Sequence, residues 1–579
     1  MKEWLKTLRD GWRRAKQFSR GRRSKSAGEL LGIFRNPIRA SALPLLGGLV
    51  LLLLAAGADV LAPKLQEAVI DSVVEKSGLS ETLLFGAGVA VLTLLALLFR
   101  TLSDFQLHRS ENKLILKVQT QVFSYLLGLP KSYFDGKEKD GIINRVSADI
   151  YGMRSVLSVV LHFCGQIPTL LVSAGFLIAK HPVVALWALL PLPIFFGLSY
   201  VIGRRTRALA YLAADERAGV YGVIAESVKG STLIKTDGEQ EGQVKKLERR
   251  GEQNRRIMLE QRAFGSLMRF LGGLFQNGSK LLVFGIGFYM MYKGELTLGG
   301  VVAMSTYIGM VYSPAQAIAR GILTVQDGLT ALERVAEFYE VQPEDVHSGI
   351  TAEKLRGELA FDGVSFAYGQ EPVLKDISFA LAPGKVHYLV GESGVGKSTL
   401  LSLILCLYRP HTGRITFDGI DQKDYAVESL RRRIAYVSQE TVFFSGTVAE
   451  NLAAQTGADR EAIIAAAETA QIHRRISALP EGYDTVLESG APLFSQGERQ
   501  RLSLARALLR DADIYVVDEP TAALDPQNRD EVLSVLNRLA EEKTVLVVTH
   551  QLSLIPAGMQ VLQLKDGELL EVSANETVL

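Results

Sequence analysis

Nine consecutive residues, Gly391-Glu392-Ser393-Gly394-Val395-Gly396-Lys397-Ser398-Thr399, have the types and spacing needed to hold a chain of phosphates. They follow the pattern G-x-x-x-x-G-K-[ST]. Glycines let backbone N–H groups curl around phosphate oxygens where a side chain would intrude. A lysine at the seventh position can reach the outer phosphates, and the following hydroxyl, Ser398, can be offered to Mg²⁺. A second stretch, Asp513-Ile514-Tyr515-Val516-Val517-Asp518-Glu519-Pro520, ends an apolar run in two adjacent carboxylates. Asp518 suits a hold on Mg²⁺, and Glu519 suits a general base that polarises an attacking water. Each stretch alone could be a glycine-rich turn or a polar strand end. Together they point to hydrolysis of a nucleoside triphosphate.

These residues need elements to position them. Val386 to Val390 reads as a strand and Leu400 to Leu407 as a helix, so the phosphate loop joins a strand to a helix amino terminus, whose dipole favours anions. From Gly357 onward short β-rich runs alternate with helical stretches, the pattern of an α/β domain. Ala331 to Glu340 still reads as helix. Val341 to Lys354, polar and broken by Pro343 and Gly349, reads as a linker.

The amino-terminal half is different. Apolar runs lie near 41–62, 83–103, 153–178, 183–203, 265–291 and 297–319, each near the ~20 residues that cross a hydrocarbon core. Runs three, five and six hold His162, Gln166, Asn277, Lys280 and Gln316, which suits helices lining a polar cavity. The runs are joined alternately by short connections, of about 20, 4 and 5 residues, and by long ones of about 50 and 60. The long ones keep a helical period, so the helices are expected to continue beyond the membrane. The 204–263 connection carries Arg204, Arg205, Arg207, Lys245, Lys246, Arg249, Arg250, Arg255 and Arg256, which places it in the cytoplasm. Residues 1–40 hold twelve Lys and Arg, with Trp4 and Trp12, and read either as a solvated basic arm or, the favoured reading, as a cytoplasmic segment resting on anionic headgroups.

Composition agrees with a membrane protein. The 579 residues are 48% hydrophobic, with a mean hydropathy of +0.16 and a net charge of +2. Disorder is excluded, and the charge makes no case for a nucleic-acid partner. Cys164 and Cys406 lie in different halves, so no disulfide framework follows.

Further stretches carry a family resemblance. Leu493-Phe494-Ser495-Gln496-Gly497-Glu498-Arg499-Gln500-Arg501 resembles the signature of ABC ATPases. Tyr436-Val437-Ser438-Gln439 resembles their Q-loop, His550 their switch histidine, and Ala523-Leu524-Asp525 their D-loop. Phe366-Ala367-Tyr368-Gly369 resembles the A-loop, whose aromatic stacks on adenine. In the other half, Tyr133 to Ile150 and Glu226 to Thr236 resemble the cytoplasmic loops of ABC exporters, whose short coupling helices touch the ATPase domains. The signature departs from the family's Leu-Ser-Gly-Gly-Gln: Ser495 and Gly497 remain, but Gln496 replaces a glycine and Glu498 an amide.

The resemblance implies an α-helical membrane domain of six transmembrane helices extending into the cytosol, plus an α/β P-loop ABC ATPase domain. The expected layout is a basic cytoplasmic segment over 1–40, a transmembrane domain over 41–335, a linker over 336–355 and a nucleotide-binding domain over 356–579. ATP and Mg²⁺ are the implied cofactors. Glu519, His550 and Gln439 are the expected catalytic residues. Ser398, Gln439 and Asp518 would face the metal. Tyr368, the loop 391–399, Ser495, Gly497 and Asp525 would bind nucleotide. In this family nucleotide is sandwiched between the phosphate loop of one ATPase domain and the signature of another, so an obligate dimer of half-transporters, homo- or heteromeric, is implied. Together with His162, Lys280, Arg269 and Arg320, Tyr289, Tyr292, Tyr307 and Tyr312 suggest an amphipathic cargo with anionic character, whether peptide, lipid or drug-like, and Asp59 is a candidate internal partner for those cations. Export by alternating access across a bacterial inner or plasma membrane is the leading reading. An importer of siderophore type, or an ATP-gated channel or regulator, would share these motifs.

Overall fold

A computed structural model of the chain describes residues 34–76, 78–136, 139–454 except Glu440, 456–487, 493–520, 526–550, 555–556 and 560–573, together with Trp4, residues 6–10, Trp12 and Gly32. Most of the basic amino-terminal segment and Asp525 lie outside these residues. Two compact units form. One comprises Met1–Leu129 and Lys137–Gln342, the other Pro130–Gly136 and Pro343–Leu579.

The first unit is built from the long helices α1 (Ala42–Val74), α2 (Leu79–Leu127), α4 (Ile150–Lys180), α6 (Pro191–Lys229), α8 (Gln240–Tyr292) and α9 (Leu298–Ala336), with the short α5 (Pro182–Leu189) and α7 (Ser231–Asp237) between them. The short α3 (Lys131–Asp135) belongs to the second unit. Helices run past the apolar stretches, as their period requires. One expectation changes for this reason: the first connection is not about 20 residues, because α1 continues to Val74 and α2 begins at Leu79, leaving residues 75–78. Leucines such as Leu43 and Leu84 stand 82% and 70% exposed on α1 and α2, a face suited to hydrocarbon and not to water.

Among the described residues four helical stretches are long and apolar enough to cross a membrane: Ala42–Val74, Leu79–Leu127, Gly141–Lys180 and Pro182–Lys229. The runs in α8 and α9 carry polar residues such as Gln276, Asn277 and Lys280, or Ser305, Thr306 and Gln316, and do not meet that composition. Several of these face other helices. The Gln316 amide donates to the Gly272 carbonyl at 3.1 Å and to Gln276 at 3.0 Å. Ser279 donates to the Tyr312 hydroxyl at 2.8 Å. The amino terminus of α9 is held by α1: Thr297 caps it, and Asp71 accepts from the Thr297 hydroxyl and the Gly299 amide at 2.7 and 2.9 Å. Trp12 stacks on Phe264 with the Arg205 guanidinium over its ring, so this side chain rests on α6 and α8.

The second unit is α/β. β1 (Leu359–Ala367), β2 (Pro372–Leu381), β4 (Thr412–Phe417) and β5 (Ile420–Asp421) form an antiparallel sheet in the order β2-β1-β4-β5. A six-stranded sheet uses β3 (Val386–Val390), β6 (Ile434–Val437), β9 (Ile514–Asp518), β10 (Thr544–Val548), β11 (Gln560–Lys565) and β12 (Glu568–Ser573) in the order β12-β11-β3-β10-β9-β6. It is parallel except at the edge strand β12, which pairs antiparallel with β11 through the tight turn Asp566-Gly567. β10 is buried along its whole length, the near-continuous apolar run that a sheet covered on both faces requires. β7 (Gly446–Thr447) and β8 (Val486–Leu487) pair beside a helical lobe. The lobe includes α11 (Val448–Ala453), α12 (Arg460–Thr469), α13 (His473–Ser477) and α14 (Gln496–Leu508). α10 (Lys397–Ile404) follows the phosphate loop, and α15 (Pro526–Ala540) precedes β10.

Candidate functional site

In a parallel sheet the carboxyl ends of neighbouring strands open on one side, and loops leaving them meet there. β3, β10, β9 and β6 are neighbours in that order. The phosphate loop leaves β3, His550 follows β10, Asp518 ends β9 with Glu519 just after it, and Gln439 follows β6. Four segments far apart in sequence thereby line one cavity of about 720 Å³. Its wall includes Tyr368, Ser393, Gly394, Gly396, Lys397, Ser398, Thr399, Gln439, Asp518, Glu519 and His550.

The loop has the backbone its glycines permit. Gly394 and Gly396 stand at φ 88° and 113°, in the region L side chains rarely adopt, and a Cβ on Gly396 would lie 3.0 Å from Leu374. Val395 turns inward against the apolar core. The Lys397 ammonium donates to the Gly391 and Glu392 carbonyls at 2.5 and 2.7 Å, bridging the loop's mouth. Burial holds its pKa down, opposed by Glu519 and Asp518.

Glu519 is the hub of the opposite wall. Its carboxylate accepts from the Gln439 amide at 2.6 Å, and its other oxygen lies 2.9 Å from His550 Nδ1. Its backbone sits at φ 48°, a strained setting for a glutamate. Asp518 is raised above the usual carboxylate range by burial and by the Glu519 charge. Two adjacent carboxylates, the Ser398 hydroxyl and the Gln439 amide oxygen give a cavity of hard oxygen donors that a divalent cation would relieve. This donor set fits Mg²⁺.

Tyr368 stands 55% exposed at the rim. Phe366 and Tyr408 meet its ring edge to face at 5.0 and 5.3 Å, leaving a face available for a flat base. The Tyr408 hydroxyl donates in turn to the Asp135 carboxylate in α3.

Ser495 and Gly497 do not line this cavity. They sit at the amino terminus of α14, where Ser495 is the N-cap. Gln496, flagged by its departure from glycine, is the first residue of that helix. Asp525 lies outside the described residues.

Sequence reasoning missed three neighbours. Gln500 is buried and donates to the Glu519 carbonyl at 3.1 Å, pinning the strained residue from α14. Tyr436 Oη lies 3.5 Å from Asp518. Val373 lines the cavity from β2. Gln500 and Tyr436 lie within motif stretches already singled out, but only the fold shows what they touch.

The membrane unit holds its own polar cavity, of about 700 Å³, lined by His162, Gln166, Lys280, Asp59, Arg100 and Asp104 among apolar neighbours. Asp59 pairs with Arg100 at 2.5 Å, not with the cations first considered. None of the four tyrosines lines it. Tyr307 and Tyr312 are buried packing residues, bonded to the Val60 carbonyl and to Ser279, while Tyr289 sits under the Lys293 ammonium and Tyr292 is 89% exposed. Arg269 and Arg320 also stand apart from it.

Comparison with known proteins agrees with both halves. Residues 45–315 match the family described as ABC transporter transmembrane region, and residues 374–522 match ABC transporter. An ATP-dependent lipid A-core flippase of Burkholderia orbicola is 30% identical over 490 residues, covering 82% of this chain and 81% of that protein. Another, from Shewanella frigidimarina, is 32% identical over 469 residues, covering 79% and 78%. The solved structure of a bacterial Atm1-family ABC exporter with ATP bound shares the fold, with a TM-score of 0.80 at 23% identity over 94% of this chain and 96% of that one. A chain that joins a multi-pass helical domain to an ATP-hydrolysing α/β domain of this kind, with relatives matched over most of both lengths, belongs to the ABC transporter family as an exporter half-transporter.

Proposed function

We propose that two such chains, each supplying a phosphate loop to one nucleotide and a signature to the other, drive an amphipathic lipid-like substrate with an anionic head across a bacterial inner membrane. The proposed layout is a cytoplasmic basic segment over 1–40, a transmembrane domain over 41–335, a linker over 336–355 and a nucleotide-binding domain over 356–579. The observation that carries the substrate reading is the polar cavity within the helical unit. Lys280 lines it with no hydrogen-bond or ion-pair partner among the described residues, and the His162 ring bonds the Ser158 carbonyl through Nδ1, leaving Nε2 unused by that bond. A polar, cation-bearing cavity walled by spans fits a molecule with a charged head and apolar body. The lipid A-core flippases among its relatives favour a lipid over a peptide or drug.

At the nucleotide site, Tyr368 stacks on adenine, backbone N–H groups of 391–399 and Lys397 hold the phosphates, and Glu519 takes a proton from the attacking water. Gln439 and His550 orient Glu519 through the bonds described. Mg²⁺ would be held by Ser398, Asp518 and Gln439, and supplies neutralisation of phosphate charge. Ser495, Gly497 and Asp525 serve the partner's nucleotide. The absence of Ser495 and Gly497 from this chain's own cavity supports the dimer. Closure of two ATPase units on ATP would move the cytoplasmic loops near Asp135–Ile150 and Arg217–Lys235. Because ATP favours the closed state, its binding and loss shift the membrane helices between two arrangements.

The test is transport in vesicles reconstituted with the purified chain. With Mg·ATP, fluorescent lipids with an anionic head should cross the bilayer and stimulate ATP turnover, and Lys280→Gln should weaken that stimulation about tenfold. If no anionic lipid crosses, or zwitterionic and anionic lipids act alike, the substrate reading fails.

A further inference from the structure

The signature stretch carries Phe494 and Glu498 where the family pattern has an aliphatic residue and an amide. Both meet one side chain, Arg475 on α13.

Glu498 closes a capping box at the start of α14. The Ser495 amide donates to Glu498 Oε2 at 2.7 Å, and the Glu498 amide donates to Ser495 Oγ at 3.3 Å. A carboxylate here suits the helix dipole. It also occupies the Ser495 N–H and sets a negative charge beside the hydroxyl that is to meet a phosphate. An uncompensated carboxylate would repel that phosphate. Arg475 answers the charge. Its Nε donates to Glu498 Oε1 at 2.9 Å and its Nη2 to the Leu493 carbonyl at 2.8 Å. The guanidinium lies 5.6 Å from the centroid of the buried Phe494 ring. One planar group therefore grips the chain two residues before Ser495 and three residues after it. Arg475 is itself anchored, since the adjacent Ile476 is wholly buried and His473 Nδ1 lies 2.8 Å from the Tyr483 hydroxyl.

We propose that Arg475 is a positioning residue that neutralises Glu498 and fixes the approach to Ser495, so that this acidic signature can receive the terminal phosphate of a partner chain's nucleotide. This rests on the reading that Ser495 and Gly497 face the partner's nucleotide. The acidic signature then works only as part of a pair with a basic α13, and a neutral amide at 498 would not need the counter-charge.

The experiment is a KM-against-kcat comparison for ATP hydrolysis by the reconstituted full chain, with thermal unfolding recorded for each variant. Arg475→Ala should raise KM for Mg·ATP about tenfold while kcat falls by less than about threefold. Adding Glu498→Gln to Arg475→Ala should return KM to within about threefold of the parent, since the amide keeps the cap and drops the charge. A double variant as poor as Arg475→Ala, or an unchanged KM in a folded Arg475→Ala, overturns the proposal. If the alanine variant does not fold, Arg475→Lys and Arg475→Gln decide together: the lysine keeps the charge and should hold KM within about threefold of the parent, the glutamine loses it and should raise KM about tenfold, and equal KM values for the two overturn the proposal. Ser495→Ala separates the two readings. Lost turnover there with unchanged KM in the Arg475 variants refutes this proposal alone. Unchanged turnover in Ser495→Ala refutes the dimer reading and this proposal with it.

Discussion

Replacing Glu519 by Gln isolates the chemical step from everything else the site does. In the structure the carboxylate receives the Gln439 amide at 2.6 Å and lies 2.9 Å from His550 Nδ1. An amide of the same shape can keep one acceptor for Gln439 and present its NH₂ to the imidazole nitrogen. At most one charge-assisted bond is lost, about 1.5 to 3 kcal/mol. Relief of repulsion at Asp518, which the Glu519 charge raises, offsets part of that. The φ of 48° strains glutamine as much as glutamate, so the backbone has no new reason to move. Net stability should change by less than about 2 kcal/mol, and the thermal midpoint by a few degrees at most. Affinity for ATP should hold or rise, because one negative charge leaves a cavity that must accept several. Catalysis should change far more. Loss of a general base costs roughly 100- to 10,000-fold, or about 3 to 5 kcal/mol of barrier. The assay is phosphate release under saturating Mg·ATP, alongside binding of labelled ATP and retention of nucleotide after gel filtration. The expected result is a nucleotide-loaded, slow protein. Phosphate release within about threefold of the parent, at equal ATP occupancy, would refute the general-base assignment.

Lys397→Ala should abolish turnover by at least about 100-fold through lost phosphate contact, with the fold retained because the lysine's present partners are carbonyls of its own loop; turnover within tenfold of the parent counts against the site. Tyr368→Ala should raise KM for ATP about 5- to 100-fold through lost stacking, and Tyr368→Phe should restore it; an equally poor Phe variant would mean that the hydroxyl matters more than the ring. Glu498 is held below its ordinary value of 4.5, burial being outweighed by the Ser495 amide and Arg475. A depressed carboxyl contributes stability above its ordinary value and loses it as pH falls through the folded one. The parent's thermal midpoint should therefore exceed that of Glu498→Gln at neutral pH, with the gap closing on acidification through and below 4.5. A gap independent of pH would show that the carboxylate contributes nothing through its charge.

Much of this protein was legible in one dimension because local chemistry has local patterns. A phosphate loop needs its glycines, lysine and hydroxyl within nine residues, so 391–399 announces itself. A membrane span needs a long apolar run, so α1 and α2 are visible at once, whereas α8 and α9 are less pure because Gln276, Ser279 and Gln316 face other helices instead of lipid. What the residue order could not decide was which distant groups meet. Gln439, Asp518, Glu519 and His550 converge only because β6, β9 and β10 are neighbours beside β3, and strand order is a property of the folded sheet. Asp59 finds Arg100 on α2, and Arg475 finds Glu498 on α14, because the folded helices bring them together. A charge seeks its partner through space, across distances that the spacing of residues along a chain does not record.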